Sequence, residues 1–229
     1  MAEQLGEDSI LPATLTSAVQ TSQPGVVRVE RVRGIGLGGD HPHLHTLQSE
    51  LGAAGFMVRH YRDPERMKWS KLLTNIVSNA TSAILGWTPE QVYAHPGTAR
   101  LEIEALREAV RVMRRSGFSP HDLPGVQVAL LGRAIFLPPL LTRRLLGQIV
   151  SKGRGAKKPS LHYDIGRGRS EVEWLNGAIV KRGGLLEVPT PVNRILTQTL
   201  LELVHRQRPH QDFINQPQKL LQLFTSERA

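Results

Sequence analysis

The sequence predicts a mainly α-helical protein preceded by a short, incomplete α/β segment. Three observations carry this: apolar residues recur at helical spacing after about Asp63, β-branched alternation is confined to the residues before it, and that first stretch has room for only one strand–helix–strand unit. With 229 residues, 40% hydrophobic and 21% charged, the chain can build one large domain or two small ones around an apolar core.

In chain order, Ala13 to Gln20 and Val26 to Val32 are β-branched runs on either side of the turn pair Pro24-Gly25. A glycine-rich strand or turn follows at Gly34 to Gly39. Asp40 is expected to cap a helix that has Pro42 in its first turn, Leu44, Leu47 and Leu51 on its apolar face and Gly55 at its close. Phe56 to Tyr61 reads as the next strand. Helical spacing then marks Glu65 to Gly86, Pro89 to Ser116 and Ser170 to Arg182. Leu72, Ile76, Ala80 and Ala83 describe one buried stripe, and Ile103, Leu106, Val110 and Met113 another. Leu123 to Leu146 holds two shorter helices broken at Pro138-Pro139, and Pro189-Thr190-Pro191 opens a last long helix reaching Val204. A polar tail follows, with one short helix around Lys219 to Phe224.

The chain has no cysteine, which removes disulfide scaffolds, thiol nucleophiles, iron–sulfur centres and cysteine-ligated zinc, and no metal site is expected. Met1-Ala2-Glu3-Gln4 lacks the order of a signal peptide and no apolar run is long enough to span a bilayer, so a cytoplasmic protein without a membrane partner is expected. The net charge of +9 is concentrated. Arg143, Arg144, Lys152, Arg154, Lys157, Lys158, Arg167 and Arg169 face the single acid Asp164, so this stretch carries +7. It is either a solvated charged face or a field for a small anion, and one basic segment with few aromatics argues against nucleic acid.

Gly34, Gly36 and Gly39 satisfy G-x-G-x-x-G, the spacing of a dinucleotide fingerprint. Against that reading, Asp40-His41-Pro42-His43 occupies the helix entry, and Asp63 lies further on than the acid that contacts a ribose. A glycine-tolerant sheet edge or turn is the stronger reading. Lys71, Asn75 and Asn79 fall at successive i,i+4 steps, which puts all three on one face of a helix; helix–helix hydrogen bonding and a catalytic face both fit them. A second polar group runs from Ser160 through Asp164 to Ser170 and Glu171, where Ser170 or Asp164 would cap the following helix.

Taken together, Lys71-x-x-x-Asn75-x-x-x-Asn79, Ser160-x-x-x-Asp164, Gly168-Arg169-Ser170-Glu171-Val172-Glu173-Trp174-Leu175-Asn176-Gly177 and Val188-Pro189-Thr190-Pro191-Val192-Asn193 resemble the ketopantoate reductase (2-dehydropantoate 2-reductase) family. The resemblance implies three parts: the end of a nucleotide-binding α/β domain at 1–63, a helical domain similar to the C-terminal part of 6-phosphogluconate dehydrogenase at 64–206, and a polar tail at 207–229. The family's cofactor fingerprint would precede Met1, which makes Gly34, Gly36 and Gly39 part of a late strand.

For chemistry, the resemblance implies NADPH-dependent reduction of a 2-oxo acid to its 2-hydroxy acid, as in pantothenate biosynthesis, by a dimer or other homo-oligomer. Lys71 would donate the proton or stabilise the oxyanion, Glu171 would accept a hydrogen bond from the substrate hydroxyl and tune Lys71, and Asn75, Asn79, Ser160 and Asp164 would bind or orient the substrate. Lys157 and Lys158 are weak candidates for the cofactor's phosphate. The chain alone is expected to be inactive or weak; either a separate nucleotide-binding polypeptide completes it or the sequence is a shortened reading frame. The alternative is a non-enzymatic small-carboxylate-binding or scaffold protein. Thr88-Pro89 stands where the family carries a further substrate-binding asparagine, so the choice of 2-oxo acid stays open.

Overall fold

The β-branched stretches before Asp63 fold into five short strands in two sheets. The computed structural model describes residue 6, residues 9–154 and residues 159–226; Lys157 and Lys158 therefore lie outside the described residues. The chain divides into two compact units, Met1–Leu72 with Ser119–Leu130 and Leu73–Phe118 with Leu131–Ala229.

In the first unit, β1 (Ala13–Leu15), β2 (Ala18–Gln23), β3 (Val26–Arg31) and β4 (Ile35–Gly38) precede α1 (Leu44–Ala53) and β5 (Val58–Tyr61). β2 and β3 form an antiparallel hairpin turned at Pro24-Gly25, where Gly25 takes φ +81°, a conformation that glycine adopts at no steric cost. Every residue of β3 is exposed, so its alternating valines cover no core.

β4 is the central strand of the other sheet, antiparallel to β1 and parallel to β5 across α1, with Ile35 opposite Val58 and Gly38 opposite Tyr61. This corrects the expectation of a sheet edge or turn. The glycines are there because neighbours press on the strand from all sides. A Cβ at Gly34 would lie 2.3 Å from the Met57 carbonyl oxygen, one at Gly36 2.8 Å from Met67 Sδ, and one at Gly38 2.8 Å from Pro64 Cβ. Because the Met57 carbonyl accepts the Ile35 N–H that joins β4 to β5, Gly34→Ala is expected to destabilise the chain by about 1–3 kcal/mol, the usual scale of overpacking. A urea midpoint equal to wild type would show that the strand yields instead.

Asp40 does not cap α1, a second correction. The N-cap is His43, whose N–H is held by His41 Nδ1 at 3.1 Å, and Pro42 lies before the helix. Leu44, Leu47 and Leu51 are half-buried and no residue of α1 is fully buried. Gly55 closes the segment with φ +86°.

The helices that follow are α2 (Pro64–Ile76), which runs across the boundary between the units, α3 (Asn79–Leu85), α4 (Pro89–Ala94), α5 (Pro96–Arg115), α6 (Val128–Ala134), α7 (Pro139–Arg154), α8 (Asn176–Leu185), α9 (Pro191–Val204) and α10 (Pro217–Ser226). Single 3-10 turns occupy Ser160–Asp164, Glu171–Trp174 and His210–Asp212. Each of the three long stretches expected to be helical is interrupted. Glu65 to Gly86 breaks at Val77-Ser78, where Ser78 takes a left-handed φ of 55°. Pro89 to Ser116 breaks at His95, because Pro96 has no N–H to donate and pushes the residue before it to an extended conformation, φ −85° and ψ 123°. Ser170 to Arg182 resolves into the Glu171–Trp174 turn and α8, since Leu175 leaves helical angles at φ −104° and ψ −94°.

The core of the second unit forms around α3, all seven residues of which are buried. Ile84 and Leu85 pack in one cluster with Leu101 and Ala105 of α5, Leu196 and Leu200 of α9, and Leu161 and Val172 of the two turns. Phe213 and Leu220 join the same cluster, so the C-terminal residues close the core. Among the described residues, no helix is long and apolar enough to cross a membrane.

Candidate functional site

The break after α2 decides how the polar residues meet. Lys71 and Asn75 sit one turn apart on α2, both half-buried. An unbroken helix would have stacked Asn79 on the same face; it is instead the first residue of α3, which corrects the single-face reading. Its side chain is 4% exposed and fully engaged. Nδ2 donates to the Asn75 carbonyl at 3.1 Å and to Ser160 Oγ at 3.2 Å, while Oδ1 accepts the Leu161 N–H at 3.1 Å. One amide thus ties the end of α2 to the Ser160–Asp164 turn. Ser160 is exposed, and because its oxygen accepts from Asn79, its own proton is left to donate elsewhere.

Asp164 and Ser170 both serve the next turn. Asp164 Oδ2 accepts from Ser170 Oγ at 2.9 Å and from the Glu171 N–H at 3.2 Å, and Ser170 Oγ accepts the Val172 N–H at 3.2 Å. The pair therefore braces the Glu171 backbone, and the Glu171 side chain is exposed. The Ser160–Asp164 turn packs against α3 and touches the Glu171–Trp174 turn, so Ser160 and Glu171 stand on adjoining turns. No hydrogen bond between described residues joins the Glu171 carboxylate to Asn75, Asn79 or Ser160.

Behind these turns lie two buried carboxylates on α5 that the sequence reading did not single out, each 1% exposed. Glu102 accepts the Ser78 N–H at 2.7 Å and the Thr81 hydroxyl. Glu108 accepts the Val192 and Asn193 N–H groups, both at 2.9 Å, and Asn193 Nδ2 at 2.7 Å. Asn176 Nδ2 extends this network to Asn193 Oδ1 at 2.9 Å. Burial pushes the Glu108 carboxyl up to about 7, against the pull of those three donors. The signal for both acids was present: Glu102 falls on the Leu106–Ala109–Met113 face and Glu108 on the Leu101–Ala105–Val112 face, where an acid interrupts an apolar stripe. Ser82 Oγ is buried without a hydrogen-bond partner among the described residues. Ser82→Ala is accordingly expected to raise stability by about 1 kcal/mol, read as a higher melting temperature; a lower one would show that the hydroxyl has a partner.

The basic stretch is partly structural. Arg143 donates to the Tyr93 and Ala94 carbonyls at the end of α4, and with Arg144, Leu140 and Glu90 it lines an open groove of about 510 Å³ that contains none of the residues above. Thr88 and Pro89 are likewise spent on structure: Thr88 Oγ1 accepts the Gln91 N–H at 3.3 Å in a capping box, with Pro89 in the first turn of α4.

A dinucleotide does not fit the described glycines. Gly39 follows β4 in a left-handed, open conformation, but Gly34 and Gly36, where a pyrophosphate would have to approach the backbone, are packed by Met57 and Met67. Among the described residues, no group of three or more His, Asp or Glu side chains is placed to hold a metal ion.

Residues 63–204, which span α2 to α9 and contain every candidate from Lys71 to Glu171, match the family described as ketopantoate reductase PanE/ApbA C terminal. The chain belongs to the ketopantoate reductase family. It is 26% identical over 211 residues to a 2-dehydropantoate 2-reductase of Halobacterium salinarum, covering 90% of this chain and 63% of that protein. A PanE/ApbA family ketopantoate reductase from Ralstonia eutropha superposes with a TM-score of 0.67 at 26% identity, covering 87% of this chain and 59% of that one. A ketopantoate reductase structure from Ralstonia solanacearum gives a TM-score of 0.69 at 25% identity, covering 90% and 58%. The chain thus spans about three fifths of the length of these ketopantoate reductases.

Proposed function

We propose that this chain is the substrate-binding part of an NADPH-dependent reductase that converts a 2-oxo acid, in the first instance 2-dehydropantoate, to its 2-hydroxy acid. The observation that supports it is the Asn75–Asn79–Ser160 cluster, which holds an exposed serine hydroxyl in place within the segment matching the family. Its second unit is read as a helical domain of the kind found in the C-terminal part of 6-phosphogluconate dehydrogenase.

In this reading Ser160 donates to the substrate carboxylate, and Asn75 and Asn79 fix the geometry of that donor. Lys71, one turn before Asn75, gives its proton to the ketone oxygen as negative charge develops there. Glu171, set by the Asp164–Ser170 brace, accepts from the substrate hydroxyl. NADPH supplies the hydride when bound, and because the described glycines do not cradle it, the nucleotide-binding half comes from outside the described residues, for instance on a separate polypeptide. Self-association has apolar surface to use: Val27 and Val29 of β3 are 60% and 55% exposed, and Leu140 of α7 is 74% exposed.

Titration of the full chain with pantoate, with heat release followed, tests the reading. Saturable binding that weakens in Ser160→Ala is expected, with NADPH binding far more weakly; failure of pantoate and of other 2-oxo and 2-hydroxy acids to bind at millimolar concentration would overturn it. The second reading is a carboxylate-binding protein without catalysis. Binding of pantoate with no oxidation of NADPH when 2-dehydropantoate is supplied together with a nucleotide-binding polypeptide would select that one.

A further inference from the structure

We infer that Glu102 is the positioning residue that sets Asn79, and through it Ser160; its consequence for ligand binding rests on the proposed function, its geometry does not. Ser78 is left-handed at φ 55°, a conformation that residues with a Cβ enter at a cost and keep only where their surroundings over-determine it. What holds it there is remote in sequence. The Ser78 side chain makes no cap bond to α3, and Glu102 from α5 reaches across to take the Ser78 N–H at 2.7 Å and the hydroxyl of Thr81 one turn on. The two carboxylate oxygens therefore grip both the break and the first turn of α3.

Asn79 lies between those two gripped residues, so the direction of its amide is fixed by the same clamp. From there it donates to the Asn75 carbonyl and to Ser160 Oγ and accepts from Leu161. A carboxylate suits this task better than a neutral amide, because both of its oxygens accept and each faces a donor. The residue is 1% exposed, and the two donors it grips, the Ser78 N–H and the Thr81 hydroxyl, are not among the groups assigned to the substrate. Its action on the site passes through Asn79.

The test compares amide resonances of the full-length chain in Glu102→Gln and in Leu220→Ala, a core truncation in α10 that leaves this clamp intact. Glu102→Gln keeps the side chain's size and turns one acceptor into a donor facing a donor. It is expected to displace the Asn79 side-chain amide and the Leu161 backbone amide signals and to weaken pantoate binding about tenfold, while Leu220→Ala leaves those signals in place. Unmoved signals in Glu102→Gln, or equal displacement in Leu220→Ala, would overturn the assignment. If Glu102→Gln does not fold, Thr81→Val, which removes one donor from the clamp, is read on the same two signals: displacement supports the assignment and its absence overturns it. Should the wild-type chain bind no pantoate, the proposed function falls and the two amide signals still decide the role of Glu102.

Discussion

Glu108→Ala is expected to cost about 3–5 kcal/mol, enough to unfold most of the helical unit at physiological temperature. The carboxylate is 1% exposed and accepts three N–H groups, two of them the backbone donors of Val192 and Asn193 in the first turn of α9. Thr190, the N-cap of α9, supplies no side-chain bond of its own, so Glu108 is the cap of this helix. Truncation leaves those donors buried without partners and opens a cavity between α5 and α9. Loss of the cooperative thermal transition, or a denaturation midpoint shifted by an amount in that range, is the measurement. A shift below about 1 kcal/mol would show that water enters and replaces the carboxylate.

The same residue sets a pH dependence. The folded carboxyl titrates near 7, above its ordinary value of 4.5, so the folded chain binds the proton more tightly than the unfolded chain does. Its contribution is fully present below about pH 4.5 and is lost as pH rises through 7, an effect on the order of 3 kcal/mol. Burial, with Arg66 and Arg59 nearby, holds His121 below its ordinary value, so it too contributes to the pH dependence. The contribution of Glu108 is therefore read as the difference between wild type and Glu108→Gln, which cannot titrate. That difference should shrink as pH rises from 5 to 8; a constant difference would mean that the three donors hold the carboxylate ionised throughout.

How far the sequence revealed this molecule depends on the range of the forces involved. The strand, turn and helix signals were local, and the hairpin at Pro24-Gly25, the break at Pro138-Pro139 and the opening of α9 at Pro191 all stand where proline and glycine chemistry puts them. Lys71, Asn75, Asn79, Ser160 and Glu171 were legible because their spacing resembles a family. What was not legible was the interruption at Ser78. No proline or glycine marks it; it is imposed by Glu102, which lies 24 residues away and pairs with Ser78 only after α3 and α5 have packed. The central place of β4 was hidden for the same reason. Glycine reads as a turn or edge residue in isolation, and only Met57, Met67 and Pro64 folded around it show why a side chain is excluded.

In an assembly that turns over 2-dehydropantoate, Lys71→Ala is expected to lower kcat by about 10²-fold or more while KM changes little. As hydride reaches the carbonyl carbon, the ketone oxygen gains a full negative charge, and a half-buried ammonium one turn before Asn75 is the group that the family resemblance assigns to meet it. The split between the two constants separates this role from simple attraction: a lysine that only drew the substrate carboxylate would raise KM and leave kcat intact. Lys71→Arg sharpens the comparison, since guanidinium keeps the charge but does not release a proton near neutrality. A kcat that stays low in Lys71→Arg is the result expected of a proton donor, and recovery of kcat by arginine would reduce Lys71 to an electrostatic anchor. Ser160→Ala should give the opposite pattern, a raised KM with kcat close to wild type, because the carboxylate it holds carries the same charge before and after the hydride arrives.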